Sequence, residues 1–131
     1  MDKKAIIPSE LRGKYDNWHF SPAIESGGFL FVSGCTGTRL DGSISDDLEE
    51  QSRQAFETVK RSLVAAGLTF SDAIEMTTYH VGLRNHLDEF KKVKDEYILE
   101  PYPAWTAIGV TELAVEGALI EIRVIAKTNK A

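Results

Sequence analysis

The groups in this 131-residue chain that could do chemistry are few and scattered. The single cysteine, Cys35, directly follows Ser33-Gly34, and one carboxylate, Glu121, lies inside the apolar run Ile120-Glu-Ile-Arg-Val124. A cysteine attacks as its thiolate, which needs a base or a positive field in order to form. No histidine or lysine stands near Cys35 in sequence, so it reads as a small, semi-buried residue. Ser33 has no His–Asp support and reads as a group that orients a ligand through its hydroxyl and backbone. Glu121 has two readings. It is either a strand carboxylate paired with Arg123, two residues on along the same face, or a general base holding a water against an electrophilic carbon. The second role requires a partly desolvated cleft.

His19, His80 and His86 show no paired spacing of a zinc site with Cys35, so no metal is implied. His80, at a strand end, is expected to be a hydrogen-bonded sheet residue. His86 is expected to be solvated in the first turn of a helix, and His19 to stand before Phe20 at the rim of any cleft there. Arg39, Arg84 and Arg123 are the candidate partners for an anionic ligand, with Arg39 the best placed, although most surface arginines are merely solubilising.

The elements that must position these groups follow from periodicity. Phe20 to Ser26 and Phe29 to Ser33 are β-rich runs joined through Ser26-Gly27-Gly28, a hairpin signal. A helix is expected from Asp46, with Glu49 as its capping-box partner and Leu48, Phe56, Val59 and Leu63 on one apolar stripe. Gly67 closes it. Ala73 to Val81 reads as a strand. A second helix is expected from about Asn85, burying Leu87, Phe90, Val93 and Tyr97 and stopped by Pro101. Strands over Ala104 to Val110 and Leu119 to Lys127 complete a ββαβαββ order. In the last strand Ile120, Ile122, Val124 and Ala126 point one way, and Leu119, Glu121, Arg123 and Ile125 the other. Two helices cannot cover both faces of such a mixed sheet, so one face is expected to be solvated or buried against another chain, and Ile125 favours a chain.

Composition narrows the function classes. The length fits one domain, spanning 1–131. Fifteen basic against twenty acidic residues give a net charge of −5, which argues against a nucleic-acid surface. The lysines at 91, 92 and 94 are interleaved with acids, as on a solvated helix face. No apolar run is long enough for a membrane span, and the N-terminal residues do not read as a secretory signal. One cysteine excludes an internal disulfide framework, so a cytoplasmic setting is expected.

Several segments, taken in order, resemble one family. Pro101-Tyr-Pro-Ala-Trp-Thr-Ala-Ile-Gly-Val110 and Gly117-Ala-Leu-Ile-Glu-Ile-Arg-Val-Ile-Ala126 resemble the C-terminal signature of the Rid (YjgF, enamine/imine deaminase) family. Phe20-Ser-Pro-Ala-Ile24 resembles its Tyr-Ser-x-Ala-Val segment, Gly28-Phe-Leu-Phe-Val-Ser-Gly34 its Gly-x-x-x-x-Ser-Gly strand and loop, and Glu50-Gln51 the opening of its long helix. The resemblance implies an α+β, chorismate-mutase-like subunit with two helices on one face of a mixed sheet. It also implies a homotrimeric barrel with ligand clefts between subunits, and no cofactor. It places Glu121 as the carboxylate that positions water, and Phe20, Ser33, Cys35, Arg39, Trp105 and Thr106 around a small-molecule ligand.

The chain departs from the family pattern in three places. Trp105 stands where the deaminating members carry an arginine, and one indole N–H cannot replace a bidentate grip on a carboxylate. Phe20 replaces a tyrosine, and Ala107 stands where a cysteine is common. Trp105, Phe20 and Trp18 together suit a flat, conjugated ligand. The expected activity is hydrolytic deamination of a small enamine or imine, such as an aminomuconate-like product. The alternatives are a non-catalytic metabolite-binding trimer and, ranked below both, RNA cleavage or translation inhibition.

Overall fold

In the computed structural model, residues 2–128 are described; the ends of the expected 1–131 domain, residues 1 and 129–131, lie outside them. The elements are β1 (Lys4–Ile6), α1 (Arg12–Trp18), β2 (Ala23–Ser26), β3 (Phe29–Thr36), α2 (Leu48–Ala65), β4 (Ala73–Val81), α3 (Leu83–Tyr97), β5 (Ala104–Val110) and β6 (Ile120–Lys127). The six strands form one sheet in the order β1-β2-β3-β6-β4-β5. Every neighbouring pair is antiparallel except β4–β5, which is parallel and crosses over through α3. No described helix is long and apolar enough to cross a membrane.

The expected apolar stripe of α2 forms the core: Phe56, Val59 and Leu63 are fully buried and Leu48 nearly so. Phe56 stacks on Tyr97 at 4.8 Å and on Phe90 at 5.8 Å, which locks α2 to α3. Burying a side chain of this size contributes roughly 1.5–3 kcal/mol. Against these helices the sheet presents Ile120, Ile122, Val124 and Ala126, all fully buried, as the alternation in β6 requires. The opposite face carries Glu121, Arg123 and Ile125, which are only partly covered.

Some boundaries moved, each for a local reason. β2 begins at Ala23 rather than Phe20, because Pro22 has no N–H for the ladder and Ser21 and Pro22 bond Ser33 instead. The two-residue turn at Gly27 and Gly28 has φ of 61° and 87°, the left-handed conformations that a tight hairpin demands. The cap of α2 is Asp47, not Asp46; its carboxylate accepts from Glu50 N at 2.9 Å, and no reciprocal box forms. α3 begins two residues earlier than expected, at Leu83 after Gly82. His86, expected to be solvated, is buried on α3 beside Phe90 and Val93, while Leu87 is only partly covered. β1 and α1 were not foreseen. β1 has three residues, and α1 has seven and buries none of them, so neither writes a periodic apolar pattern.

Gln51 joins three segments at the base of the sheet. Fully buried, it donates to Ser45 O at 2.7 Å and Gly117 O at 3.0 Å and accepts from Leu119 N at 2.8 Å. The loop before α2 and the loop before β6 are thereby fixed to one side chain. A Cβ on Gly37 would overlap Gln51, so that position must remain glycine for the loop to pass. Gln51→Leu takes the partner from one backbone donor and two acceptors in part-buried surroundings, at about 1–3 kcal/mol for a group that stays shielded from water. We expect it to lower unfolding stability by about 2 kcal/mol or more in urea denaturation. A loss under about 1 kcal/mol would contradict this hub role.

Candidate functional site

A cavity of about 580 Å3 opens beside the N-terminal end of β6, a size suited to a small metabolite. Its walls come from α1 (Gly13, Lys14, Asn17, Trp18), the segment Phe20–Pro22, the end of β3, the loop Thr38–Gly42, and Thr58 and Ser62 of α2. Of the residues singled out from sequence, Phe20, Ser33, Cys35, Arg39 and Glu121 line it. Trp105 and Thr106 do not line this cavity within one chain. The wall supplied by α1 and α2 carried no sequence signal, apart from Trp18.

A bulge in β3 creates the local geometry. Val32 pairs with Val124 and Cys35 with Ile122, so Ser33 and Gly34 together oppose the single residue Arg123. Such a bulge bends the strand and re-aims its side chains. Gly34 then lies directly under the Glu121 carboxylate, where any Cβ would overlap it. Ser33 donates its hydroxyl to Ser21 O at 2.7 Å, and its N–H to Pro22 O at 2.9 Å. Its hydroxyl proton thus holds the Phe20–Pro22 wall in place.

Glu121 is half-buried, and its pKa is raised because burial disfavours the charged form. Of its two readings, the pairing with Arg123 does not occur: among the described residues Glu121 has neither a hydrogen-bond nor an ion-pair partner. Cys35 is buried and donates to Ser33 O at 3.2 Å. Burial first, and then the Glu121 carboxylate, push its thiol up to about 12, against a smaller opposing influence of Lys14. The thiol is therefore protonated at neutral pH and is not a nucleophile. Arg39 is held by Ser43 Oγ at 3.1 Å and Glu50 at 3.8 Å. His19 is exposed as the left-handed cap of α1, away from the cavity lining.

Trp105 lies on the other face of the sheet. It aligns with Met76 on β4, whose other neighbour is Val124, and packs against Phe90 of α3 at 6.1 Å. The Lys94 ammonium stands 5.1 Å above its ring. Its indole N–H donates to Thr78 Oγ1 at 2.9 Å, Thr78 shares a 2.7 Å hydrogen bond with His80 Nε2, and His80 Nδ1 meets His86 Nε2 at 3.1 Å. The two histidines are therefore paired in space although not in sequence. No metal-binding group of three or more His, Cys, Asp or Glu residues forms among the described residues.

Comparison with known proteins places this architecture. The family profile described as Endoribonuclease L-PSP matches residues 16–128. The chain belongs to that family, the Rid/YjgF family. RutC family protein YjgH of Escherichia coli (strain K12) is 41% identical over 128 residues, 97% of this chain and 96% of its own length. The solved structure of Protein YJGH superposes with a TM-score of 0.91 at 40% identity, over all of both chains. The structure of E. coli TdcF with bound serine gives a TM-score of 0.77 at 30% identity, over 84% of this chain and 88% of that one. A 2-iminobutanoate/2-iminopropanoate deaminase of Dermatophagoides farinae is 28% identical over 81% of this chain and 83% of its own length. The mixed α+β fold of this Rid protein is the chorismate-mutase-like one expected from its sequence, enlarged by β1 and α1.

The Trp105–Thr78–His80–His86 chain makes stability depend on pH. Burial, and then the neighbouring His86, lower the His80 pKa from 6.5 to about 4, and burial lowers that of His86. The unfolded chain then binds more protons than the folded one between pH 6.5 and about 4. The stabilisation is present above 6.5 and is lost as the pH falls through that window, on the order of 3 kcal/mol for His80. Urea unfolding at intervals across the window should show a clearly shallower acid loss for His80→Gln than for wild type. Equal slopes would contradict the buried, neutral assignment.

Proposed function

We propose that this Rid protein is a cofactor-independent hydrolase that deaminates a small enamine or imine. The observation that carries the reading is Glu121, a half-buried carboxylate with no partner among the described residues, set over Gly34 in a ligand-sized cavity. In the imine form the substrate carbon is already electrophilic. Glu121 takes a proton from water as the oxygen bonds to that carbon and passes it to the imine nitrogen, giving a carbinolamine. It then takes the hydroxyl proton and delivers it to the amino nitrogen as the C–N bond breaks and the C=O bond forms, so that a carbonyl compound and ammonia leave. Orientation, one water and one proton carrier are sufficient for this reaction. The name of the Dermatophagoides relative, an iminobutanoate/iminopropanoate deaminase, supports the reaction class. The serine bound by TdcF supports a small, carboxylate-bearing ligand.

The reading includes a homotrimer with clefts between chains. Trp105 and Glu121 leave the sheet on opposite faces, with β4 between their strands, so one chain cannot present both to one small ligand. β5 is an edge strand, and the uncovered face carries Phe31 at 37% exposure and Ile108 at 39% beside partly covered Ile125. A neighbouring copy that covers this face would bring Trp105 and Thr106 to the rim of the Glu121 cavity. There, with Phe20 and Trp18, they would suit a flat unsaturated amine such as an aminomuconate-like compound.

Ammonia release is the test, with 2-iminobutanoate made in situ and 2-aminomuconate as substrates. Glu121→Gln should lower the rate by about 10²-fold or more. Because burial raises the Glu121 pKa, the wild-type rate should climb with pH along a limb displaced above the ordinary glutamate range, as the base loses its proton. That limb should vanish in Glu121→Gln. No wild-type release above background from either substrate would overturn the reading in favour of a metabolite-binding trimer, the alternative that Trp105 in place of arginine favours. Cleavage of RNA is disfavoured by the net charge of −5.

A further inference from the structure

The charged side chains on the cavity wall divide into two sets. Glu10 is paired with Arg61 at 3.1 Å, and Arg39 with Glu50 at 3.8 Å. Lys14 and Glu121 have no hydrogen-bond or ion-pair partner among the described residues, and they are not paired with each other. Both line the one cavity, and both act electrostatically on the buried Cys35 thiol, with opposite sign. An ammonium and a carboxylate, neither paired among the described residues, thus line the same ligand-sized space. Ser62, fully buried on the same wall, also has a hydroxyl without a hydrogen-bond partner. Buried polar groups normally find partners, and those that do not in the free protein are available to a ligand.

Lys14 belongs to α1, and its place in the chain is informative. The family profile begins at residue 16, so Lys14 precedes the segment shared across the family. The Dermatophagoides deaminase matches about four fifths of this chain, whereas YjgH matches 97% of it. α1 thus brings a cation to the cavity wall, while Trp105 stands where the deaminating members carry an arginine.

We infer that Lys14 is the anion-recognition residue of this cavity, and that it takes the carboxylate of a small unsaturated amino or imino acid whose reacting carbon lies toward Glu121. This inference rests on the deaminase reading for the identity of the ligand, while anion binding by Lys14 stands independently of turnover. An ammonium offers three rotatable donors and suits a monodentate or shifted carboxylate, unlike the fixed fork of a guanidinium. The site should thus accept carboxylates placed differently from those of short imino acids. Trp18 and Phe20, 67% and 38% exposed beside it, supply the apolar walls.

The test uses two stable probes, 2-oxobutanoate, which carries the carboxylate, and its neutral methyl ester. Their binding to the full-length protein is followed by NMR titration, for wild type, Lys14→Met and Lys14→Arg. Wild type should prefer the anion. Lys14→Met should weaken 2-oxobutanoate binding by about tenfold or more and leave the ester unchanged, the scale of one charge-assisted hydrogen bond. Lys14→Arg should recover most of the loss, and the unchanged ester affinity reports an intact fold. Equal binding of the anion by wild type and Lys14→Met, or no preference for the anion in wild type, would overturn the inference. Ammonia release that needs Glu121 but is indifferent to Lys14 would also sink it and leave the deaminase reading standing. Lys14-dependent anion binding without any ammonia release would sink the deaminase reading and leave this inference standing.

Discussion

A sheet with helices on one face only is the constraint from which the rest of this structure follows. α2 and α3 cover Ile120, Ile122, Val124 and Ala126, and the resulting core is closed by the Phe56, Phe90 and Tyr97 rings. Among the described residues, Phe31, Ile108 and Ile125 on the opposite face are left only partly covered. Removing such partly exposed apolar side chains from solvent is favourable. In the proposed trimer a second copy covers this face. Glu121 and Trp105 lie on opposite faces of the sheet, so the proposed site needs both chains to unite them.

Within one chain, the site depends on irregularity in the sheet. A regular β3 would carry a side chain where Gly34 passes beneath Glu121. The bulge places two residues against Arg123, lets Gly34 make that approach, and leaves the carboxylate half-buried without a partner among the described residues. Ser33 and Gln51 then tie the surrounding loops with hydrogen bonds to backbone atoms. These two residues serve the site by positioning its walls, while Lys14 and Glu121 face its interior.

How much of this was legible in the sequence depended on whether a pattern spans enough residues. β4 and β5 were readable to the residue, and β6 to within one, because alternation and composition run through them. The stripe of α2 was equally clear, whereas its cap slipped by one, since Asp46 and Asp47 are chemically equivalent choices. α1 buries no residue of its own and has no stripe, so the cavity wall it provides, Lys14 included, was invisible. His86 was misplaced because its burial depends on His80, six residues away on another element. Glu121 could be named from the local motif, but its lack of a partner required the bulge, which no spacing rule reports. Trp105 stood out by residue type. That it packs under Lys94 and bonds Thr78 needed the register of β5 against β4.

The central claim is that each cleft combines Glu121 of one chain with the β5 edge of another. The most direct measurement is ammonia release from 2-iminobutanoate by assemblies co-expressed from Glu121→Gln and Trp105→Ala chains, each chain also assayed alone. In a random mixture, about a quarter of the clefts would unite an intact Glu121 with an intact Trp105 from different chains. The account predicts that each parent is impaired and that the mixed assemblies release ammonia faster than either. Mixed assemblies no faster than the better parent, or a fully active Trp105→Ala protein, would contradict it.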